Sequence, residues 1–294
     1  MECYPYALQF PFSKTTLNFR EINCAEQSLL CKINDTLPPT HEYRGDYLNV
    51  LIEILQKVIK DKESIYGLDL IEFLMFVIRL RTVSIGSFIE FSIGDEKKKN
   101  IKFDLYTLLK NVYNAGCIIN DKENINTEDV EIKLKWPDLY GEYHFLETYH
   151  ENDTVKFLST MCQFVDYIKI KDQSFNFKFL KNTQRIELFE LLPLSVKNLI
   201  QTDVIFLLQK LREQPLFELE EFENYKLEFY NFTIQDIIRF IFANNENSLI
   251  AENVFLLNKG FTIGDINLMP PITKQNYINY FIEQNNTNKS DEVT

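Results

Sequence analysis

The segment LIEFLMFVIRLRTVSIGSFIEFSI, residues 70–93, restricts the fold more than any other stretch, because a strongly apolar helix runs directly into an alternating strand. A helix this apolar has to be enclosed by the rest of the chain, and the strand after it must lay one face on the same core. Asp69 stands at the N-cap position, and Glu72, three residues on, is placed to reach back in a capping box. Leu70, Phe73, Leu74, Val77 and Ile78 recur at the 3.6-residue period. The β-branched Thr82 and Val83 are expected to end the helix, and Gly86 permits a turn. Residues 87–93 then alternate, with Phe88, Glu90 and Ser92 on one face and Ile89, Phe91 and Ile93 on the other. The unit is structural and carries no catalytic chemistry.

The chain around it supplies packing partners. Residues 15–22 alternate as a short strand with Leu17 and Phe19 on one side, and Asn23 with Glu26 signals a capped helix to about Lys32. After Pro38 and Pro39, residues 46–62 carry an amphipathic stripe of Leu48, Leu51, Ile52, Leu55, Val58 and Ile59. GDEKKKN at 94–100 reads as a solvent-facing hairpin turn, which explains its three lysines without a basic binding patch. A helix over 105–114 and an alternating strand over 130–136, ended by Pro137, are expected to close an antiparallel sheet with the earlier strands.

Residues 138–153 turn polar and aromatic without a period, so a boundary is expected near Asn152, and residues 155–170 mix helix and strand signals. Beyond Asp172 the pattern is largely helical. Asn182 is set to cap a helix through Leu192, Pro193 breaks it, and residues 194–200 and a run capped by Thr202 or Asp203 follow as separate helices. Thr233 with Asp236 opens another, Ser248 the next, Gly260 suits a left-handed C-terminal cap, and a last helix covers 273–284. The expected class is α+β: residues 1–152 with a small antiparallel sheet packed by helices, residues 153–285 mainly helical, and a polar tail, 286–294, expected to be disordered.

With 294 residues, 45% hydrophobic content, 25 Phe and 15 Tyr, the chain can build an ordinary buried core. Its formal net charge of −12 works against nucleic acid and anionic membranes, which are held by Lys and Arg neutralising phosphates. The acidity is uneven: residues 213–252 hold nine acidic side chains against Lys226 and Arg239, a local balance of −7. A solvated surface accounts for that stretch. A docking face for a basic protein is the functional alternative, with Glu218, Glu220, Glu221 and Glu223 as its candidate contacts. Aromatic neighbours such as Phe217, Phe222 and Tyr225 lack the basic groove that base stacking needs. Five cysteines, odd in number and without a CxxC pair, suit a reducing cytoplasm. The N-terminal MECYPYALQFPF has no secretory-signal pattern, and no run nears the about 18 apolar residues of a spanning helix, so a soluble protein is expected.

One grouping has the composition of a metal site. His144, Glu147 and His150, with Asp153, lie three residues apart in HFLETYHEND and would share a face if the segment were helical. The segment lacks a helical period and the HExxH order, and an exposed polar connection explains the same residues. His41, beside two prolines, has no Cys, Ser or Asp partner in view. Neither a GxSxG elbow nor a GxxxxGK[ST] loop occurs. No catalytic residue and no cofactor are therefore assigned. A metal-dependent enzyme using His144 and His150, and an acidic inhibitor mimicking nucleic acid, stand as alternatives.

The order of several segments resembles a known family. LIEFLMFVIRLRTVSIGSFIEFSI is similar to a helix and strand of the baseplate hub proteins of T4-like contractile-tailed phages, the group of hub subunits and hub-assembly chaperones. LNFREINCAEQSLLCKIN resembles that family's opening strand and helix, RIELFELLPLSVKNLI its Glu-rich helix broken by Leu-Pro, and MPPITKQNYINYFIEQ its C-terminal helix. The likeness spans most of the chain through apolar patterning and brings no catalytic residues with it. It implies a non-enzymatic protein needed to assemble the central hub of the baseplate, as hub component or assembly chaperone. Its expected partners are other baseplate hub or tape-measure tail proteins, met in the host cytoplasm during assembly or in the virion tail baseplate.

Overall fold

The computed structural model describes residues 3–37, 44–93, 99–120, 124–127, 129–141, 153–178, 180–218, 226–228, 234–242 and 246–291. The chain opens with a hairpin, β1 (Tyr6–Gln9) against β2 (Thr16–Phe19), in which Tyr6 faces Phe19. Helix α1 (Cys24–Thr36) begins with the full capping box expected at Asn23 and Glu26, and Arg20 grips the Glu26 carboxylate at 2.7 and 2.9 Å. Helix α2 (Arg44–Val58) leads through a 3-10 turn, Lys62–Gly67, into α3 (Leu70–Ser84).

In α3, only Leu70, Arg79, Thr82 and Val83 escape full burial, so the helix has no solvated face. Half of its expected capping box forms. Asp69 accepts from the Glu72 amide at 2.7 Å, but the Glu72 carboxylate turns away and accepts from the Phe12 and Ser13 amides at 3.2 and 2.8 Å. A carboxylate only 1% exposed needs donors, and the turn after β1 offers two of them away from the like charge of Asp69. Thr82 and Val83 continue the helix, since the Thr82 hydroxyl bonds back to the Ile78 carbonyl at 2.8 Å and burial outweighs a small propensity deficit. Gly86, at φ +134°, makes the turn into β3 (Phe88–Ile93).

Strand β3 pairs with β4 (Lys99–Asp104), Phe88 opposite Asp104, and buries Ile89 while Phe88 and Glu90 stay exposed. Residues 94–98 of the lysine-rich turn lie outside the described residues. Helix α4 (Leu105–Asn120) runs further than its sequence signal. Its Gly116 admits the Phe12 ring where a Cβ would sit 2.3 Å from it, and Phe12 also stacks on Tyr113.

The strand over residues 130–136 does not close a sheet with β3 and β4. Strand β6 (Val130–Leu134) pairs with β5 (Ile125–Asn126) and with β7 (Val165–Ile170), which in turn pairs with β8 (Gln173–Asn176). Alternation reveals which face a strand buries but not its neighbour, and here Ile132 finds Ile168 across a ladder joining residues on either side of Asn152. The ambiguous stretch resolves into helix α5 (Asp153–Gln163) followed by β7. One hydrophobic cluster runs from Phe10 to Phe242 around α3, where Phe76 meets Phe19 edge-on at 5.4 Å.

Helix α6 (Asn182–Glu190) begins differently from its expected cap. Asn182 is its first helical residue, buried and accepting from the Ser159 hydroxyl at 2.6 Å, while the Gln184 side chain reaches back to the Lys181 amide at 3.0 Å. Pro193 separates it from α7 (Leu194–Arg212), a single helix in place of the two expected, with Thr202 inside it and bonded back to the Asn198 carbonyl. A short hairpin follows, β9 (Pro215–Glu218) with β10 (Lys226–Glu228), in a stretch without a strand signal.

Helix α8 (Ile234–Ile241) completes the main cluster. Helix α9 (Glu246–Leu257) ends at Gly260, φ +93°, as its sequence indicates, α10 (Ile263–Leu268) has a Thr262–Asp265 capping box, and α11 (Pro271–Asp291) follows. Helical backbone thus extends into the polar segment expected to be disordered, where neither Pro nor Gly interrupts it, and residues 292–294 lie outside the described residues. The class is α+β, with small antiparallel sheets early and helices dominating the later half.

Candidate functional site

Among the described residues, the densest group of buried charges joins the end of β6 to α6. Asp138 follows β6, and the backbone beside it is tied to the start of α3 by Leu70 N–H to Pro137 O and Leu139 N–H to Leu68 O, both 2.9 Å. Arg185 of α6 donates through Nη2 to the two Asp138 oxygens at 3.0 and 2.9 Å, and through Nε to the Leu180 carbonyl at 2.9 Å. Lys135 contacts the same carboxylate, and the Gly141 amide donates to it at 2.5 Å. Burial would push the Asp138 carboxyl up, but Lys135 and Arg185 together outweigh it and hold the group below its ordinary value. Lys135 is itself lowered, chiefly by burial. The Arg185 side chain is fully buried, with Nη1 unpartnered, and the buried Cys162 thiol near it is pushed up by desolvation and stays protonated. Enclosed in this way, the cluster offers no accessible nucleophile; it clamps α6 to the end of β6.

A second buried cation pins the α3–β3 joint. Arg81 donates to the carbonyls of Ile241 at 3.1 Å, Gly86 at 2.5 Å and Phe88 at 3.2 Å, so α8, the turn and β3 converge on one guanidinium. Burial lowers its pKa to about 10, which leaves it charged at neutral pH.

Several large apolar side chains are exposed among the described residues. Leu191 and Leu194, at the corner where Pro193 separates α6 from α7, are 77% and 73% exposed. Further along, Ile250, Val254 and Leu257 line an outward face of α9, and Tyr277 and Tyr280 one of α11. The Leu-Leu-Pro-Leu order of the corner is visible in the sequence, but not which of its leucines stays in water, since Leu192 between the two exposed ones enters the core. The clamp had no such signal, because 47 residues separate Asp138 from Arg185.

His41, His144, Glu147 and His150 lie outside the described residues, as do Glu220, Glu221 and Glu223. Asp153 opens α5, exposed and within 3.6 Å of Lys156. Glu218 ends β9, where its backbone alone is described. Among the described residues no group of three His, Cys, Asp or Glu side chains is placed to hold a metal ion, and no helix is long and apolar enough to cross a membrane.

No curated protein and no solved structure matches the chain. A family match covers residues 3–214, more than two thirds of the sequence, and contains the helix–strand joint, the Asp138–Arg185 clamp and the leucine corner. On that match, the chain belongs to the T4 bacteriophage base plate protein family.

Proposed function

We propose that the protein serves assembly of the baseplate's central hub without catalysing a reaction, as hub component or assembly chaperone. Its partners in this reading are other hub or tape-measure tail proteins, met in the host cytoplasm. Membership of the base plate family implies contacts with other baseplate proteins, and the finer role is our inference. The observation that carries it is the Leu191–Leu194 corner. Two leucines exposed by more than 70% flank Pro193 at the turn after α6, the helix that the buried Asp138–Arg185 pair holds, and an exposed apolar corner suits insertion into a partner's pocket. Residues Glu218, Glu220, Glu221 and Glu223 are proposed as a second contact, for a basic surface.

Co-expression with the neighbouring tail genes, followed by pull-down, tests this reading. Leu191→Asp with Leu194→Asp should abolish co-purification of a tail protein while the melting curve holds, as surface changes usually stay within about 0.5 kcal/mol. Charge reversal at Glu218, Glu220 and Glu221 should weaken binding and reduce its salt sensitivity. If no structural tail protein co-purifies at moderate salt, the reading fails. Mass spectrometry of purified virions then separates hub component from chaperone, since a chaperone is absent from finished particles.

A further inference from the structure

The end of α6 is charged against its own backbone. Unpaired carbonyls make the C-terminus of a helix its negative end, where a cation is the stabilising neighbour. Helix α6 has no basic residue in its last turn and two acidic ones, Glu187 and Glu190, both exposed. Among the described residues neither carboxylate has an ion-pair partner. The cations on either side of them in sequence are engaged elsewhere. Arg185 is buried against Asp138, and the Lys197 ammonium donates to the Glu190 backbone carbonyl at 2.7 Å. The next charge along α7 is another acid, Asp203. Glu187 and Glu190 are also three positions apart, the spacing at which side chains on a helix are neighbours and like charges repel. Leu191, the C-cap, keeps helical backbone angles, so it stands one turn beyond Glu187 on the same side of the helix. Two carboxylates thus sit where the helix dipole and their own repulsion oppose them, beside a corner whose leucines are left in water. Conflicts of this kind between sequence and local stability gather at functional surfaces.

We infer that the partner of this corner is a protein whose apolar pocket is rimmed by lysines or arginines. Leu191 and Leu194 fill the pocket, and Glu187 and Glu190 pair with the rim. The inference rests on the corner as the contact with a tail protein and adds the chemistry of the surface opposite it. Charge selects that occupant. A basic rim supplies the cations that the end of α6 lacks, and it relieves both the dipole and the mutual repulsion only in the complex. An uncharged pocket would strip water from the two carboxylates without giving them a partner. A second copy of this chain, with its net charge of −12, would bring the same carboxylates against an acidic surface. Charges at the margin of an apolar contact act chiefly on the rate of encounter and on the choice of partner, so Glu187 and Glu190 are specificity-determining residues and the leucines are the anchors.

The test uses the full chain and the tail protein that co-purifies with it in the pull-down. Glu187→Gln with Glu190→Gln should raise the dissociation constant about tenfold, chiefly through slower association, and reduce its dependence on salt between about 50 and 300 mM. The melting temperature of this neutral double variant should hold or rise by about 1–3 °C, because charges that oppose the helix end are gone. Glu187→Lys with Glu190→Lys should weaken binding about a hundredfold, and salt should then strengthen what remains. Suppose that both double variants bind as the parent does, with the same salt response, while Leu191→Asp with Leu194→Asp still abolishes binding. That result would overturn this inference and leave the corner as the contact. Tighter binding by either charge variant, or a lowered melting temperature of the neutral one, would overturn it too. So would self-association of this chain that the neutral variant strengthens. Binding that survives the leucine variant, or the absence of any bound tail protein, defeats the reading of the corner itself and this inference with it.

Discussion

The body built around α3 and the group formed by α9, α10 and α11 use apolar residues in opposite ways. In the body, Phe73, Phe76 and Val77 are completely buried, and one cluster gathers side chains from the opening hairpin to α8. In the C-terminal group the hydrophobic cluster holds three buried side chains, Leu256, Ile266 and Ile278, and the two longer helices leave further apolar side chains exposed. The group is attached to the body at α1, where the Cys24 amide donates to the Met269 carbonyl at 3.0 Å and burial raises the Cys24 thiol to about 11. The lesson concerns where hydrophobic free energy is realised. A helix that is apolar all round can be enclosed by its own chain, as α3 is, or left with surface that only association removes from water.

Four changes break or sharpen that contrast, the largest effect first. Phe73→Asp or Val77→Asp places an unpaired charge in the body's centre and should unfold the whole protein, costing more than about 4 kcal/mol, as followed by circular dichroism. A folded variant with lost function would show that α3 is more than structural. Asp138→Ala leaves Lys135 and Arg185 buried without their counterion and should destabilise by about 3–5 kcal/mol in urea denaturation. Leu256→Ala removes a buried side chain from the small cluster and should cost about 2–4 kcal/mol. Hydrogen exchange should find that loss in α9 to α11 with α3 still protected; loosening of α3 would mean that the two regions share one cooperative unit.

The smallest effect depends on pH. Burial, the chief cause, raises Asp69 from its ordinary 3.8 to about 7, against the opposing amides of Glu72 and Ile71 and the charge of Lys135, while Glu72 adds to the rise. Between about pH 4 and 7 the folded state therefore binds a proton that the unfolded chain has released, so Asp69 makes stability fall as pH rises through that window. Asp69→Asn keeps an N-cap acceptor and removes the charge, which should flatten this part of the profile and gain on the order of 2 kcal/mol at pH 8. An unchanged slope between pH 4 and 7 would show that another group titrates there. The lowered carboxyl of Asp138 acts in the reverse sense, with its stabilisation lost only in more acidic solution.

Local features were well marked in the sequence. The Asn23 and Glu26 box, the Asp69 cap, the turn at Gly86, the alternation of β3 and the stop at Gly260 all depend on residues within a few positions of one another, where propensity and hydrogen-bond reach decide. The readings that changed were those needing a distant partner. Glu72 left its box for amides some 60 positions away, Asn182 bonded to Ser159, Thr202 stayed within a longer helix, and β6 took β7 as its neighbour. The acidic and histidine-rich candidates fell in segments that sequence singled out by composition alone. The leucine corner and the exposed apolar side chains of α9 and α11 required knowledge of which apolar residues the core had already used.

The sequence by itself determined the class, the enclosed helix joined to a strand, and most caps and turns, because these rest on periodicity and on short-range backbone chemistry; the family came from the match over residues 3–214. Tertiary structure alone decided the order of strands, the pairing of Asp138 with Arg185 and Lys135, the convergence of three carbonyls on Arg81, and which apolar side chains remain in water. Most of those depend on residues far apart in the chain, and a local pattern marks which face is apolar without saying which distant residues cover it.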